Sequence, residues 1–146
     1  MKSSRRRARE GLVQALYQWI LTGHEVQSIQ GQIVAQPHFA RADQDFFSKV
    51  LPGVITQNEA LDAMLVPFLD RTPQTLSPIE HAILWIAAFE LVHCPETPFR
   101  VVINEAVELA KVFGGTDGHK YVNGVLDRLA AQQRPGEAGA GPSRRN

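Results

Sequence analysis

The residues with the clearest chemical potential in this chain are cations close to its start. They place five positive charges among the first nine residues, before any acidic side chain appears. Clustered guanidinium and ammonium groups bind phosphates regardless of base sequence, so this charge asymmetry indicates a polyanionic partner. We therefore interpret residues 1–9 as a basic arm that contacts a polyanion. The five cations are Lys2, Arg5, Arg6, Arg7 and Arg9.

Both tyrosines of the chain lie near cations in segments with helical spacing. Tyr17 follows Arg6 by eleven positions, a distance of about 16 Å along a helix, which can hold a few nucleotides of single strand. Tyr121 shares an outer helical face with Lys120 and Arg128. An exposed aromatic ring beside cations is a platform on which bases stack. The alternative for each tyrosine is a ring lying at the edge of the core, and the sequence leaves both interpretations open.

No arrangement of residues indicates catalysis. The five histidines are scattered without the spacing of metal ligands, and the glycines of residues 114–118 lack the Lys-Ser/Thr ending of a phosphate loop. We expect Cys94 to be a buried small hydrophobe. We expect Glu105 and Glu108 to lie on a solvated face, with Lys111 as the ion-pair partner of Glu108. The sequence therefore predicts a protein that is not an enzyme and uses no cofactor or metal.

Length and composition indicate one globular domain, or two small subdomains that share a core. The chain has 146 residues, 44% of them hydrophobic and 21% charged, with a formal net charge of zero. No apolar run approaches the roughly 20 residues that span a bilayer, and the basic start lacks the pattern of a signal peptide. A single cysteine excludes an internal disulfide and is compatible with a reducing compartment. We therefore expect a soluble, cytoplasmic protein with no membrane contact.

Helical periodicity is the only regular pattern in the chain, which predicts an all-α fold. The apolar segment from Ile79 to Val92 should lie at the centre of that fold, beginning at a capping box formed by Ser77 and Glu80. We place a folded domain at residues 1–132 and a disordered tail at 133–146, where Gly, Pro and Arg dominate. The expected helices are 4–21, 26–35, 43–68 with a kink or a break near Gly53, 79–92, 98–113 and 117–131.

Two details concern the last two helices. We expect Gly114-Gly115 to end one helix in a left-handed conformation, and Thr116 or Asp117 to cap the next. Asparagine within a motif can tie backbone groups together, which is one interpretation of Asn104 and Asn123, and we favour this structural role for Asn123.

Several motifs carry a resemblance to a known family. The start resembles the opening of the NusB family of transcription antitermination factors, through RRRARE at 5–10 and VQALY at 13–17. The most distinctive part of that family's signature is matched by INEAVELAK at 103–111, FG at 113–114 and KYVNGVLD at 120–127. The central helix, residues 79–91, is also similar. The resemblance extends over nearly the whole chain to about Leu129.

The resemblance implies a NusB-like fold of about six to seven helices in two small bundles set across each other. It also implies a partner, the small-subunit ribosomal protein NusE. Together they would bind single-stranded boxA RNA of ribosomal RNA transcripts and join an antitermination complex on RNA polymerase. Positions on the RNA-facing side are matched by Arg5, Arg6, Arg7, Arg9, Tyr17, Lys120 and Tyr121, with Lys2 as part of the same arm. Glu80 matches a position on the NusE side.

The chain also departs from the family pattern, and two other functions stay open. Gln74-Thr75 is uncharged where acidic character is typical near the NusE side, and the tail after Arg134 has no family counterpart. A similar helical module occurs in ribosomal RNA cytosine methyltransferases, but we favour a stand-alone protein because the chain ends at Asn146. A pure protein adaptor with solubilising arginines is the third possibility. The sequence does not distinguish a free monomer from a homodimer.

Overall fold

The computed structural model describes residues 2–114 and 118–138, and most of this part of the chain is helical. It contains no strand, which confirms the predicted all-α class, and none of its helices is long and apolar enough to cross a membrane. Three short 3-10 turns connect the helices, at Pro37–Arg41, Val66–Phe68 and Pro73–Thr75. The α-helices are α1 (Ser4–Thr22), α2 (Val26–Val34), α3 (Gln44–Thr56), α4 (Asn58–Leu65), α5 (Pro78–His93), α6 (Phe99–Phe113), α7 (Gly118–Gln133) and α8 (Pro135–Ala138).

The helices form two small bundles that meet along α1 and α5. In the first bundle α1 packs against α2 and α3, and in the second α5 packs against α4, α6 and α7. The α5 helix is buried continuously from Ala82 to Leu91, as its apolar sequence predicts. Burial on all sides of α5 makes this helix the shared centre of the molecule.

Side-chain caps fix where the principal helices begin. The Ser3 hydroxyl accepts the N–H of Arg6 at the start of α1. Half of the predicted capping box at the start of α5 is confirmed, because the hydroxyl of Ser77 accepts the N–H of Glu80 at 3.1 Å. The reciprocal hydrogen bond, from the Ser77 N–H to the Glu80 carboxylate, is not formed between these two described residues. At its other end α1 stops at Gly23, whose φ of 67° favours glycine. Local sequence therefore determines where the basic segment becomes helical.

Of the kink or break predicted near Gly53, the break is wrong. The α3 helix continues through Pro52 to Thr56, and α4 follows one residue later at Asn58. Gly53 has a packing role instead, since a Cβ placed there would lie 2.5 Å from a ring carbon of Phe89. The absent side chain lets α3 approach α5 closely.

The end of α6 also differs from the prediction. Gly114 is extended, with φ −94° and ψ −175°, and its N–H donates to the carbonyl of Ala110. It therefore does not adopt the predicted left-handed conformation. Gly115 and the predicted caps Thr116 and Asp117 lie outside the described residues.

The folded body extends beyond the predicted boundary at residue 132. Arg134 is 8% exposed, and its guanidinium lies beneath the last turn of α5. There it donates hydrogen bonds to four backbone carbonyls at the end of α5 and just beyond it, where the helix itself supplies few donors. The acceptors are the carbonyls of Glu90, Leu91, Cys94 and Thr97. Residues 133–138 are thus part of the fold, which corrects the predicted start of the tail; residues 139–146 are outside the described part.

One buried ion pair joins the two bundles. The Arg9 guanidinium donates to both carboxylate oxygens of Glu90, at 2.8 and 2.7 Å. The two side chains are only 4% and 2% exposed. A charge buried to this extent is tolerated only with a hydrogen-bonded partner, so each residue requires the other.

Removing either half of this pair should destabilise the fold strongly. We expect Arg9→Met to lower the free energy of unfolding by about 3–5 kcal/mol, because Glu90 is left as an uncompensated buried charge. The double variant Arg9→Met/Glu90→Leu should lose less than Arg9→Met alone. Urea denaturation followed by circular dichroism measures these differences.

The matched control is Arg7→Met, which removes an arginine of the same helix that makes no ion pair within the described residues. Its free energy of unfolding should stay within about 0.5 kcal/mol of the wild type. A loss below about 1 kcal/mol in Arg9→Met would contradict the structural role given to the Arg9–Glu90 pair.

Candidate nucleic-acid interface

The basic segment is helical rather than a free arm, because α1 begins at Ser4. Three of its cations contact carboxylates supplied by other turns and helices. Lys2 lies 2.9 Å from Glu10, and the Arg5 guanidinium lies 3.2 Å from the carboxylate of Asp43. All of these pairs are partly exposed. The segment therefore presents cations to solvent, but their charge is partly compensated inside the protein.

The third of these cations, Arg6, binds Glu105 of α6 through two hydrogen bonds of 2.9 and 2.7 Å. Arg9 approaches the same carboxylate at 3.7 Å. These contacts, with the hydrogen bond from Arg6 first, lower the pKa of Glu105. The prediction that Glu105 lies on a solvated face is wrong, whereas the predicted pair of Glu108 with Lys111 is confirmed at 3.4 Å.

Arg9 does not belong to this exposed surface. It occupies the same face of α1 as the buried residues Leu12 and Leu16, and it points to Glu90. The prediction that Arg9 contacts RNA is therefore corrected, since its guanidinium is inaccessible in the folded chain. A signal was present in the sequence: Glu90 is the acidic residue within the apolar run from Ala82 to Leu91, and a carboxylate buried there needs a cation as its partner.

Arg7 is the cation of α1 best placed to accept a new anionic partner. It lines a polar cleft between α1 and the 3-10 turn at Pro37–Arg41, together with Gln14 and His38. Within residues 2–114 and 118–138 its guanidinium makes no ion pair. A phosphate could bind Arg7 without displacing a carboxylate.

Tyr17 lies farther along α1 and is 39% exposed. At 100° per residue it falls within about 20° of Arg6, so the ring and this cation share one side of the helix. The placement is compatible with the predicted stacking platform.

Tyr121 is less accessible than its predicted outer face implies. Its hydroxyl accepts the N–H of Asp70 at 3.3 Å, and the Arg71 guanidinium carbon lies 4.5 Å from its ring centroid. Burial, the largest influence, raises the pKa of the Tyr121 phenol. The neighbouring Lys120 is exposed at the start of α7. Of the two, Lys120 faces solvent, while Tyr121 is partly covered by the segment before α5.

Glu80, the predicted partner contact, lies in the first turn of α5. Its carboxylate packs beside the start of α7, where a Cβ on Gly118 would come within 3.0 Å of one carboxylate oxygen. Gln74 and Thr75 are exposed in the preceding 3-10 turn. Glu80 and Lys120 therefore both lie near the beginning of α7.

Asn123 does not have the structural role that we favour from the sequence. Asn104 and Asn123 are both exposed and line a cleft between α6 and α7, and their side chains make no hydrogen bond to another described residue. Asp127 lines the same cleft, and burial raises the pKa of its carboxyl group.

The described residues offer no group of three or more His, Cys, Asp or Glu side chains suited to a metal ion. Cys94 is buried, as expected, and burial raises the pKa of its thiol, which disfavours the reactive thiolate.

Known proteins match the chain over nearly its full length. The model of the NusB family matches residues 6–131. Transcription antitermination protein NusB of Paraburkholderia xenovorans is 54% identical over 144 residues, covering 99% of this chain and all of the relative. The protein of the same name from Dechloromonas aromatica is 52% identical, covering 95% of this chain and 85% of the relative.

Solved structures share the fold. T. maritima NusB has a TM-score of 0.83 at 28% identity, covering 95% of this chain and 99% of the other. A complex described as antitermination factors NusB and NusE with double-stranded RNA has a TM-score of 0.79. It is 22% identical, covering 87% of this chain and 96% of the other.

The Arg6–Glu105 pair should give the free energy of unfolding a characteristic acid dependence. Because the pKa of Glu105 is lower in the folded chain, the unfolded chain binds the proton first as pH falls. The stabilisation is therefore complete above the unfolded pKa of about 4.3 and is lost as pH falls through the folded pKa. We expect Glu105→Gln to cost about 0.5–1 kcal/mol near pH 6 and progressively less toward pH 3.

Urea denaturation at several pH values measures this difference. The matched control is Glu108→Gln, which removes an exposed carboxylate one turn away and should cost less near pH 6. A cost of Glu105→Gln that stays constant between about pH 6 and pH 3 would contradict the assignment.

Proposed function

The chain belongs to the NusB family, and on that premise we propose that it is a transcription antitermination factor that binds boxA-like single-stranded RNA together with NusE. The observation that carries this proposal is the cationic start of α1, continued by an exposed ring at Tyr17 on the side of Arg6. Phosphates can bind the cations while unpaired bases stack on the ring. Such a surface supports binding, and we infer no enzymatic activity.

The ion pairs suggest an order of contacts. Arg7 can take a phosphate at once, whereas Arg5 and Arg6 must exchange Asp43 and Glu105 for phosphates. Each exchange replaces hydrogen bonds to a carboxylate by hydrogen bonds to a phosphate, so the net gain in binding free energy is small. Together with a net charge of zero, this implies that the isolated protein binds RNA modestly.

NusE would supply the remaining binding surface. A related NusB is known in a complex with NusE and double-stranded RNA, which supports a three-component assembly for this chain. We place NusE on the side of Glu80 and RNA across Lys2, Arg5, Arg6, Arg7, Tyr17, Lys120 and Tyr121. The assembly would act on RNA polymerase, in the cytoplasm. Because Glu80 and Lys120 both lie near the start of α7, partner and RNA would meet there.

RNA-binding measurements test this function. We expect a boxA-like single strand to bind more tightly than a scrambled strand and than the same sequence in a duplex, with NusE strengthening the boxA-like complex. Fluorescence anisotropy with labelled RNA, with and without NusE, gives the three affinities. Equal and weak binding to all three RNAs, unchanged by NusE, would contradict the proposal.

The triple variant Arg5→Gln/Arg6→Gln/Arg7→Gln separates RNA binding from a pure adaptor function. It should lose RNA affinity and retain NusE binding, because its substitutions lie away from Glu80. Arg100→Gln is the matched control, since it removes an exposed cation from the start of α6. If the triple variant and the control bind RNA equally well, the arginines of α1 do not form the RNA surface.

A further inference from the structure

The segment before α5 closes over Tyr121. Besides the hydrogen bond from Asp70 to the tyrosine hydroxyl, the Arg71 guanidinium lies over the face of the ring. Arg71 is held in turn by Asp70, whose carboxylate accepts its Nε–H at 2.6 Å. The preceding turn is anchored to α7, because Arg128 donates to the carbonyl of Phe68 at 2.9 Å.

The Arg71 guanidinium occupies the surface that a base would need. A planar cation and a nucleobase both bind the π-face of an aromatic ring, so the two compete for the covered face of Tyr121. The cover is weakly held, since the side chains of Arg71 and Asp70 are 42% and 63% exposed. Contacts between a cation and a ring at exposed sites are weak enough to be exchanged for a stacked base.

We propose that Arg71 is a placeholder on Tyr121: it covers the ring in the RNA-free protein, and an unpaired RNA base displaces it on binding. This inference rests on the proposed RNA-binding function and adds a residue that the resemblance does not assign. Two acidic side chains attract the Arg71 guanidinium, first Asp70 and more weakly Glu80. The displaced cation therefore remains beside opposite charge and close to the RNA.

Nuclear magnetic resonance of the full chain observes this displacement directly. A side chain over a ring face has signals shifted upfield by the ring current, and we expect this for the δ-methylene protons of Arg71. The Tyr121→Leu variant gives the reference position without the ring. On saturation with a boxA-like single strand and NusE, the Arg71 signals should cover most of the distance to that reference.

Arg100 is an internal control, because its guanidinium lies over the ring of Phe99 at 5.1 Å in another part of the molecule. Its signals should keep their positions. If the side-chain signals of Arg5, Arg6 and Arg7 respond to RNA while Arg71 stays ring-shifted, the placeholder is refuted and the proposed function stands. If no arginine signal responds, RNA does not bind, and both proposals fail.

Discussion

The buried ion pair between Arg9 and Glu90 is the constraint on which the rest of the surface depends. It fixes the rotation of α1 against α5 and thereby sets the direction of every other side chain on α1. At 100° per residue, Arg5 and Arg6 lie on the two flanks of Arg9, and Arg7 lies nearly opposite. This geometry explains why Asp43 meets one flank, Glu105 meets the other, and Arg7 opens into a separate cleft.

Most exposed cations of the basic segment have carboxylate partners that RNA phosphates can replace. Lys2, Arg5 and Arg6 each have a carboxylate partner on a partly exposed surface, where an ion pair contributes little free energy. The contact between Arg71 and Tyr121 is of the same exchangeable kind, with an aromatic ring in place of the carboxylate. Contacts of this kind order the side chains before RNA arrives, and they also limit the affinity of the isolated chain. A partner that extends the binding surface would raise this limited affinity.

Local patterns in the sequence were sufficient for much of the fold. Helical periodicity and the Ser77 cap predicted the central helix, and the density of arginines predicted a cationic surface. Local patterns do not predict contacts between residues that are far apart in the sequence. The inward direction of Arg9 requires a partner 81 positions later, and the cover on Tyr121 comes from a segment about 50 positions earlier. Composition places Arg134 in the tail, because composition alone does not reveal its hydrogen bonds to α5.

The division of the arginines into those that hold the fold and those that face RNA can be tested by the salt dependence of RNA binding. On single strands the log–log slope changes by about 0.7 for each phosphate that the protein no longer neutralises. We expect Arg7→Gln to reduce the slope by about that amount. The double variant Arg9→Met/Glu90→Leu, which replaces the buried pair by apolar side chains, should keep the wild-type slope. A slope reduced by about 0.7 in the double variant would mean that Arg9 binds phosphate, and would contradict its role within the fold.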